Sequence, residues 1–225
     1  MRRPLETTPA RERILARIRR QQHRDEGQRP AEEREADEWL QRHPRGPLPA
    51  LGAAPIERFR EMAQRMQTTL DEVATWDEAP AAVARYLAAH GLPPAAVAYD
   101  NLQHLRWLEA GLAVEHRPPR DEDLVSITDC FCAVAETGSL VFATSPSTWA
   151  TAHLLPETHI VLLDARRIVS HQEDAFDLMR TELGEIPRGF NTVSGPSRTG
   201  DIEQTIVLGA HGPYRVHVVI VRTQG

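Results

Sequence analysis

Three polar segments stand out in this 225-residue chain because their residue types and spacing could do chemistry. The first is Ala135-Glu136-Thr137-Gly138-Ser139, set between two apolar runs. A carboxylate flanked by hydrophobic runs is unfavourable to bury unless it is paired or hydrogen-bonded. Glu136 therefore has a structural partner or lines a site, where it would act as base or nucleophile. Gly138 lets the backbone turn sharply and approach a ligand. The second segment, Ser194-Gly195-Pro196-Ser197-Arg198-Thr199-Gly200-Asp201-Ile202-Glu203, directly follows an apolar strand pattern. Its backbone N–H groups, its hydroxyls and the fixed charge of Arg198 suit an anion such as a carboxylate or phosphate. Asp201 and Glu203 oppose that reading if both stay exposed. The alternative is a tight turn in which Ser197 or Thr199 caps and Asp201 holds backbone amides. The third is Gly209-Ala210-His211-Gly212-Pro213, where a glycine-flanked His211 could take or give a proton near neutral pH, or be structural.

The missing patterns narrow the chemistry further. The chain has no G-x-G, no H-E-x-x-H and no G-x-S-x-G, so the usual dinucleotide cradle, zinc-protease helix and nucleophile elbow are lacking. All 26 residues counted as Lys+Arg are Arg, which excludes a Schiff-base lysine and a phosphate-loop lysine. Cys130 and Cys132 form a single C-x-C, short of the four thiolates of a typical iron–sulfur cluster and outside zinc-ribbon spacing. They read as buried structural thiols. His153 and His159, six apart across Pro156, make a poor metal motif, and no metal site is expected. A net charge of -6 disfavours a nucleic-acid partner. With no signal-peptide pattern and no spanning run, the expected place is the cytoplasm.

These segments need elements to position them. Residues 1–55 form a helical N-terminal extension and Pro-rich linker, with helices expected over 8–24 and 30–41 and an extended stretch over 43–55. Residues 56–225 read as one α/β domain. The spacing of Phe59, Met62, Ala63, Met66 and Leu70 predicts a helix, followed by a strand over 72–75. Further helices are expected over 78–89 and 172–183. Strands are expected over 95–99, 124–128, 132–135, 139–144, 159–164, 190–194, 204–208 and 216–221. Such alternation implies a parallel or mixed sheet covered on both faces. No internal repeat is visible.

Residues 121–221 resemble the lactate-utilisation protein C family, whose shared unit is the LUD domain. The marks run in order: Ile127-Thr128, Ala135-Glu136-Thr137-Gly138, Leu155-Pro156 with His159-Ile160, the signature from Ser194 to Glu203, and His211-Gly212-Pro213. Residues 1–120 match only in general pattern. The resemblance implies a three-layer α/β sandwich similar to the sugar-phosphate isomerase and CoA-transferase group. It also implies a part in oxidising L-lactate to pyruvate beside lactate-utilisation proteins A and B, which carry the iron–sulfur clusters. Carried onto this chain, the family positions are Glu136, Thr137, Gly138, Ser194, Gly195, Pro196, Ser197, Thr199, Asp201, Glu203, His211 and Gly212. Read with the residue chemistry above, Glu136 and His211 are the expected acid/base groups, and the others, together with Arg198 at a variable position of the signature, are expected to hold a small carboxylate or phosphate. No cofactor is expected in the chain itself, and homodimerisation is left open. A stand-alone enzyme acting on a sugar phosphate or CoA ester, and a docking module without catalysis, are the competing readings.

Overall fold

Six strands of this protein lie side by side in one sheet, and every neighbouring pair is parallel. The structure is a computed structural model, and it describes residues 8–22, 29–184, 186–200 and 207–222. The chain divides into two units, with the boundary between Leu48 and Pro49. In the first unit, α1 (Thr8–Gln22) and α2 (Arg29–Arg42) bury none of their residues, leaving Ile14, Ile18, Trp39 and Leu40 exposed.

The second unit starts with α3 (Pro55–Arg65), which has proline in its first turn, where the missing N–H is no loss. It then runs through β1 (Thr69–Val73), α4 (Ala79–Ala89), β2 (Ala95–Ala98), β3 (Ala113–His116) and β4 (Val125–Asp129). After these come β5 (Cys132–Val134), β6 (Ser139–Ala143), β7 (Thr158–Asp164), β8 (Ile168–Val169) and α5 (Gln172–Leu183). The chain closes with β9 (Phe190–Val193), β10 (Arg198–Thr199), β11 (Val207–Leu208) and β12 (Arg215–Val221).

The main sheet has the order β1-β12-β7-β4-β2-β3. Its central strands, β7 and β12, are near-continuous apolar runs, as a sheet buried on both faces requires. One face, through Ile127, Ile160, Leu162, Val219 and Val221, packs on Val83 and Leu87 of α4. The other, through Val161, Leu163, Val216, Val218 and Ile220, packs on Phe59 and Ala63 of α3 and on Ala133, Leu140 and Phe142.

Those last three belong to a second, four-stranded sheet of order β8-β5-β6-β9, with antiparallel pairing of β6 to β5 and to β9. Its far face, through Cys132, Val134 and Val141, rests on Ala175 and Met179 of α5. The mixed α/β architecture expected from the alternating pattern is present. The division of its strands among three sheets, the third being the β10–β11 pair, was not anticipated.

Three local expectations need correction. The helix from Ile56 does not reach Leu70: its last turn closes at Met66, Gln67 takes a left-handed φ of 66°, and the Thr68 N–H donates to the Ala63 carbonyl. The next strand accordingly covers Thr69–Val73 rather than 72–75, pairing Leu70 with Val218. Strands β3, β8 and β10 were missed. All three are short, and β3 is an edge strand carrying Glu115 and His116, so it shows no buried apolar run. Of the strand expected over 204–208, Val207 and Leu208 are seen as β11, and the remainder lies outside the described residues.

Candidate functional site

The Glu136 segment is the turn of the β5–β6 hairpin, closed by the Gly138 N–H donating to the Val134 carbonyl at 2.9 Å. Gly138 has a φ of +67° and is buried. A Cβ there would overlap the backbone nitrogen of Ala63 in α3. Gly195 repeats the arrangement with a φ of +75°, where a Cβ would overlap the carbonyl oxygen of Met66. The close approach that Gly138 permits is thus to the last turns of α3. Arg198 joins the same contact, its Nη2 donating to the Met66 carbonyl at 2.8 Å. Carbonyls in a helix's last turn lack partners within the helix and carry partial negative charge, so a guanidinium completes them favourably.

Three hydroxyls then link the first two sequence segments. Thr137 Oγ1 and Ser139 Oγ are 2.7 Å apart, and Ser139 Oγ and Ser194 Oγ 2.6 Å. Ser139 is buried, whereas Thr137 and Ser194 are exposed at the two ends of the chain of bonds. On the other side of the turn, the Glu136 N–H donates to the Ser170 carbonyl at 3.0 Å. An ionised carboxylate only accepts, so His171 Nδ1 donates to Glu136 Oε2, at 3.1 Å. The Glu136 side chain is 29% exposed and that of His171 13%. His171 also starts α5, its backbone N–H donating to Asp174 Oδ2 at 2.8 Å. The residue that holds the carboxylate is thereby fixed at the head of the helix.

The second and third segments meet along the short β10–β11 hairpin. The Ser197 N–H donates to the Pro213 carbonyl and the Gly209 N–H to the Ser197 carbonyl, both at 2.9 Å. Gly212 lies against the Ser197 side chain, where a Cβ would come within 3.2 Å of Ser197 Cβ. Pro196 and Thr199 are buried, and His211 is exposed in the turn before Pro213. Asp201 and Glu203 lie outside the described residues. Glu136 is paired with His171, a residue that sequence reasoning missed. The signal available was its position one residue ahead of an acidic first helical turn, which marks an N-cap.

The cluster sits at the amino ends of the parallel strands, because α3 leads into β1 and Pro213 leads into β12. The carboxyl ends carry different groups. The chain reverses direction across the sheet between β2 and β4, the position where open α/β sheets commonly bind ligands. Asn101 Nδ2 donates to Asp129 Oδ2 there at 2.7 Å, and burial raises the Asp129 pKa despite that hydrogen bond. Neither residue was singled out from sequence.

Burial pushes the Cys132 thiol up to about 12 and moves Cys130 upward as well, which fits protonated, structural thiols. His159, a family-mark residue, is fully buried with its Nε2 2.8 Å from Thr128 Oγ1. Among the described residues no three metal-binding side chains cluster, and no helix is long and apolar enough to cross a membrane.

Fold and site together define an open parallel α/β protein with an appended mixed four-stranded sheet, whose polar turn is clamped to a helix end. The LUD-domain family profile matches residues 56–221, and the chain belongs to that family. A protein from an Exiguobacterium species named lactate utilization protein C is 29% identical over 177 residues, covering 74% of this chain and 77% of its own. A Bacillus subtilis protein of the same name is 32% identical over 100 residues, 43% and 42% of the two chains. A solved DUF162-family protein from Deinococcus radiodurans shares the fold with a TM-score of 0.55 at 20% identity, over 77% of this chain and 99% of its own.

Proposed function

We propose that this protein is a cytoplasmic component of L-lactate utilisation, working beside iron–sulfur partners of the lactate-utilisation A and B kinds and holding no redox centre of its own. The observation that carries the reading is the LUD match over 166 consecutive residues, 56–221, together with relatives named for lactate utilisation that align along most of the chain. The donor set supports the division of labour: two cysteines, both with raised thiol pKa, fall short of the four thiolates of a cluster. Oxidising L-lactate to pyruvate releases two electrons and two protons, so the electrons would pass to clusters on the partners. This chain would supply a carboxylate-binding or assembly surface.

The test is purification of the tagged protein from lactate-grown cells, with iron measured in the complex and lactate oxidation assayed with an artificial acceptor. Co-purifying cysteine-rich partners, iron in the complex and no turnover by the isolated chain are expected. Robust turnover by the isolated chain, or a flavin or cluster bound tightly to it, would refute the proposal. One observation favours a docking contribution as well. Ile14, Trp39 and Leu40, on helices with no buried residue, are 59%, 60% and 64% exposed, which suits contact with another protein. Deleting residues 1–48 should then weaken co-purification while leaving the second unit folded.

A further inference from the structure

The line of hydroxyls from Thr137 through Ser139 to Ser194 has a property that a single serine lacks. Three hydroxyls carry three protons, and the two internal bonds, at 2.7 and 2.6 Å, use two of them. One O–H is left over: when both bonds run the same way it emerges at Thr137 or at Ser194, and an acceptor at either end favours such an arrangement over the one in which both ends donate to Ser139. Both ends are exposed and the middle is buried, so in either one-way arrangement the spare donor faces solvent. Donors in series polarise one another, which makes such an end a better partner for an anion than an isolated hydroxyl.

Glu136, adjacent in sequence to Thr137, sets the opposite requirement. His171 takes Oε2, and the other oxygen stays available as an acceptor on a part-exposed carboxylate. A carboxylate repels an anion but accepts well from a neutral O–H. A ligand satisfying both neighbours carries a carboxylate and a hydroxyl side by side. A phosphate dianion fits poorly beside Glu136, and Arg198, the guanidinium of the signature, is directed to the Met66 carbonyl. The turn is held rigid by Gly138 against α3 and by the Glu136 N–H on Ser170, so the groups are preorganised.

We infer that the Glu136 turn is a 2-hydroxycarboxylate-binding site. The Thr137–Ser139–Ser194 line donates to the ligand's carboxylate, and Glu136, positioned by His171, accepts from its hydroxyl. This rests on the lactate-utilisation reading for the choice of ligand and names the residues that would hold it.

The test is a titration of the full chain followed by NMR shift changes, with L-lactate, propionate (the same acid without the hydroxyl) and inorganic phosphate as probes. L-Lactate should bind about tenfold or more tighter than propionate, the scale of one hydrogen bond to a charged group. Glu136→Ala should abolish that preference and leave propionate affinity unchanged or improved. Ser194→Ala should weaken both acids by a similar factor. His171→Asn, which retains a good helix cap, should lower the lactate preference and spare propionate, a split that a purely structural role for His171 would not produce. Equal affinity for the two acids, tighter binding of phosphate, or lactate binding that survives Glu136→Ala and Ser194→Ala unchanged would overturn the inference. Absence of lactate binding in a protein that still co-purifies with iron–sulfur partners would overturn this site and leave the pathway reading standing.

Discussion

Replacing His153 with leucine should make this protein markedly more resistant to acid. The ring is 2% exposed, lies 4.6 Å from the Phe142 ring in a stacked arrangement, and finds no hydrogen-bond partner for either nitrogen among the described residues. Burial lowers its pKa to about 4 from the ordinary 6.5, so the folded state holds the neutral form. Two further histidines are buried as well, each with one ring nitrogen bonded and the other without a partner among the described residues. His159, 6.0 Å away between ring centroids, is lowered to about 3, and His217, against Tyr86, to about 4.

The sign follows from proton counting. Between the unfolded pKa near 6.5 and the folded values, the unfolded chain binds more protons, so stability is complete above 6.5 and falls with pH below it. At pH 5 each buried histidine removes about 2 kcal/mol, and the three together about 6, against a total of about 5–15 for an ordinary domain. Urea unfolding at pH 7.5, 6 and 5 measures this directly. His153→Leu should reduce the loss between pH 7.5 and 5 by about 2 kcal/mol. An unchanged acid loss in the variant would show that His153 is accessible to protons in the folded state, and the burial argument would be wrong.

Other perturbations follow from the same geometry. Gly138→Ala and Gly195→Ala each place a methyl group on α3 backbone at positive φ, and should lower stability by about 1–3 kcal/mol or more, read from denaturant midpoints. Gly91→Ala, also at positive φ but with open space around it, should be milder. Thr128→Val removes the partner of His159 Nε2 and should destabilise by about 1–3 kcal/mol through a buried polar atom left unsatisfied. Both cysteines should resist thiol reagents at pH 8 in the folded protein and react fully in denaturant, because the raised pKa values leave almost no thiolate. Rapid labelling of the native chain would contradict that.

Much of this architecture was legible in the residues. The buried strands at Thr158–Asp164 and Arg215–Val221 and the helix at Gln172–Leu183 lie close to where apolar runs and periodicity placed them, because the local pattern and the packed environment agree there. The glycine and hydroxyl segments were visible as segments. Which contacts their groups make was not, since these depend on partners far away in sequence. Glu136 meets His171, 35 residues on, Ser139 meets Ser194, 55 residues on, and Arg198 reaches Met66 across 132. Periodicity could not assign Cys132–Val134 and Ser139–Ala143 to a second sheet, because a buried strand reads alike in either sheet.

The amino-acid order by itself placed the main helices and the buried strands, and it set the lack of lysine and the count of two thiols in this chain. The tertiary structure alone decided that Gly138 and Gly195 admit α3 rather than leave room for a side chain. It also decided that three hydroxyls line up, and that the carboxylate of the turn is held by an imidazole from the head of a helix. The reason is physical: propensity and patterning act over a few residues, whereas hydrogen-bond partners and close approaches are chosen by how the packed layers bring distant segments together.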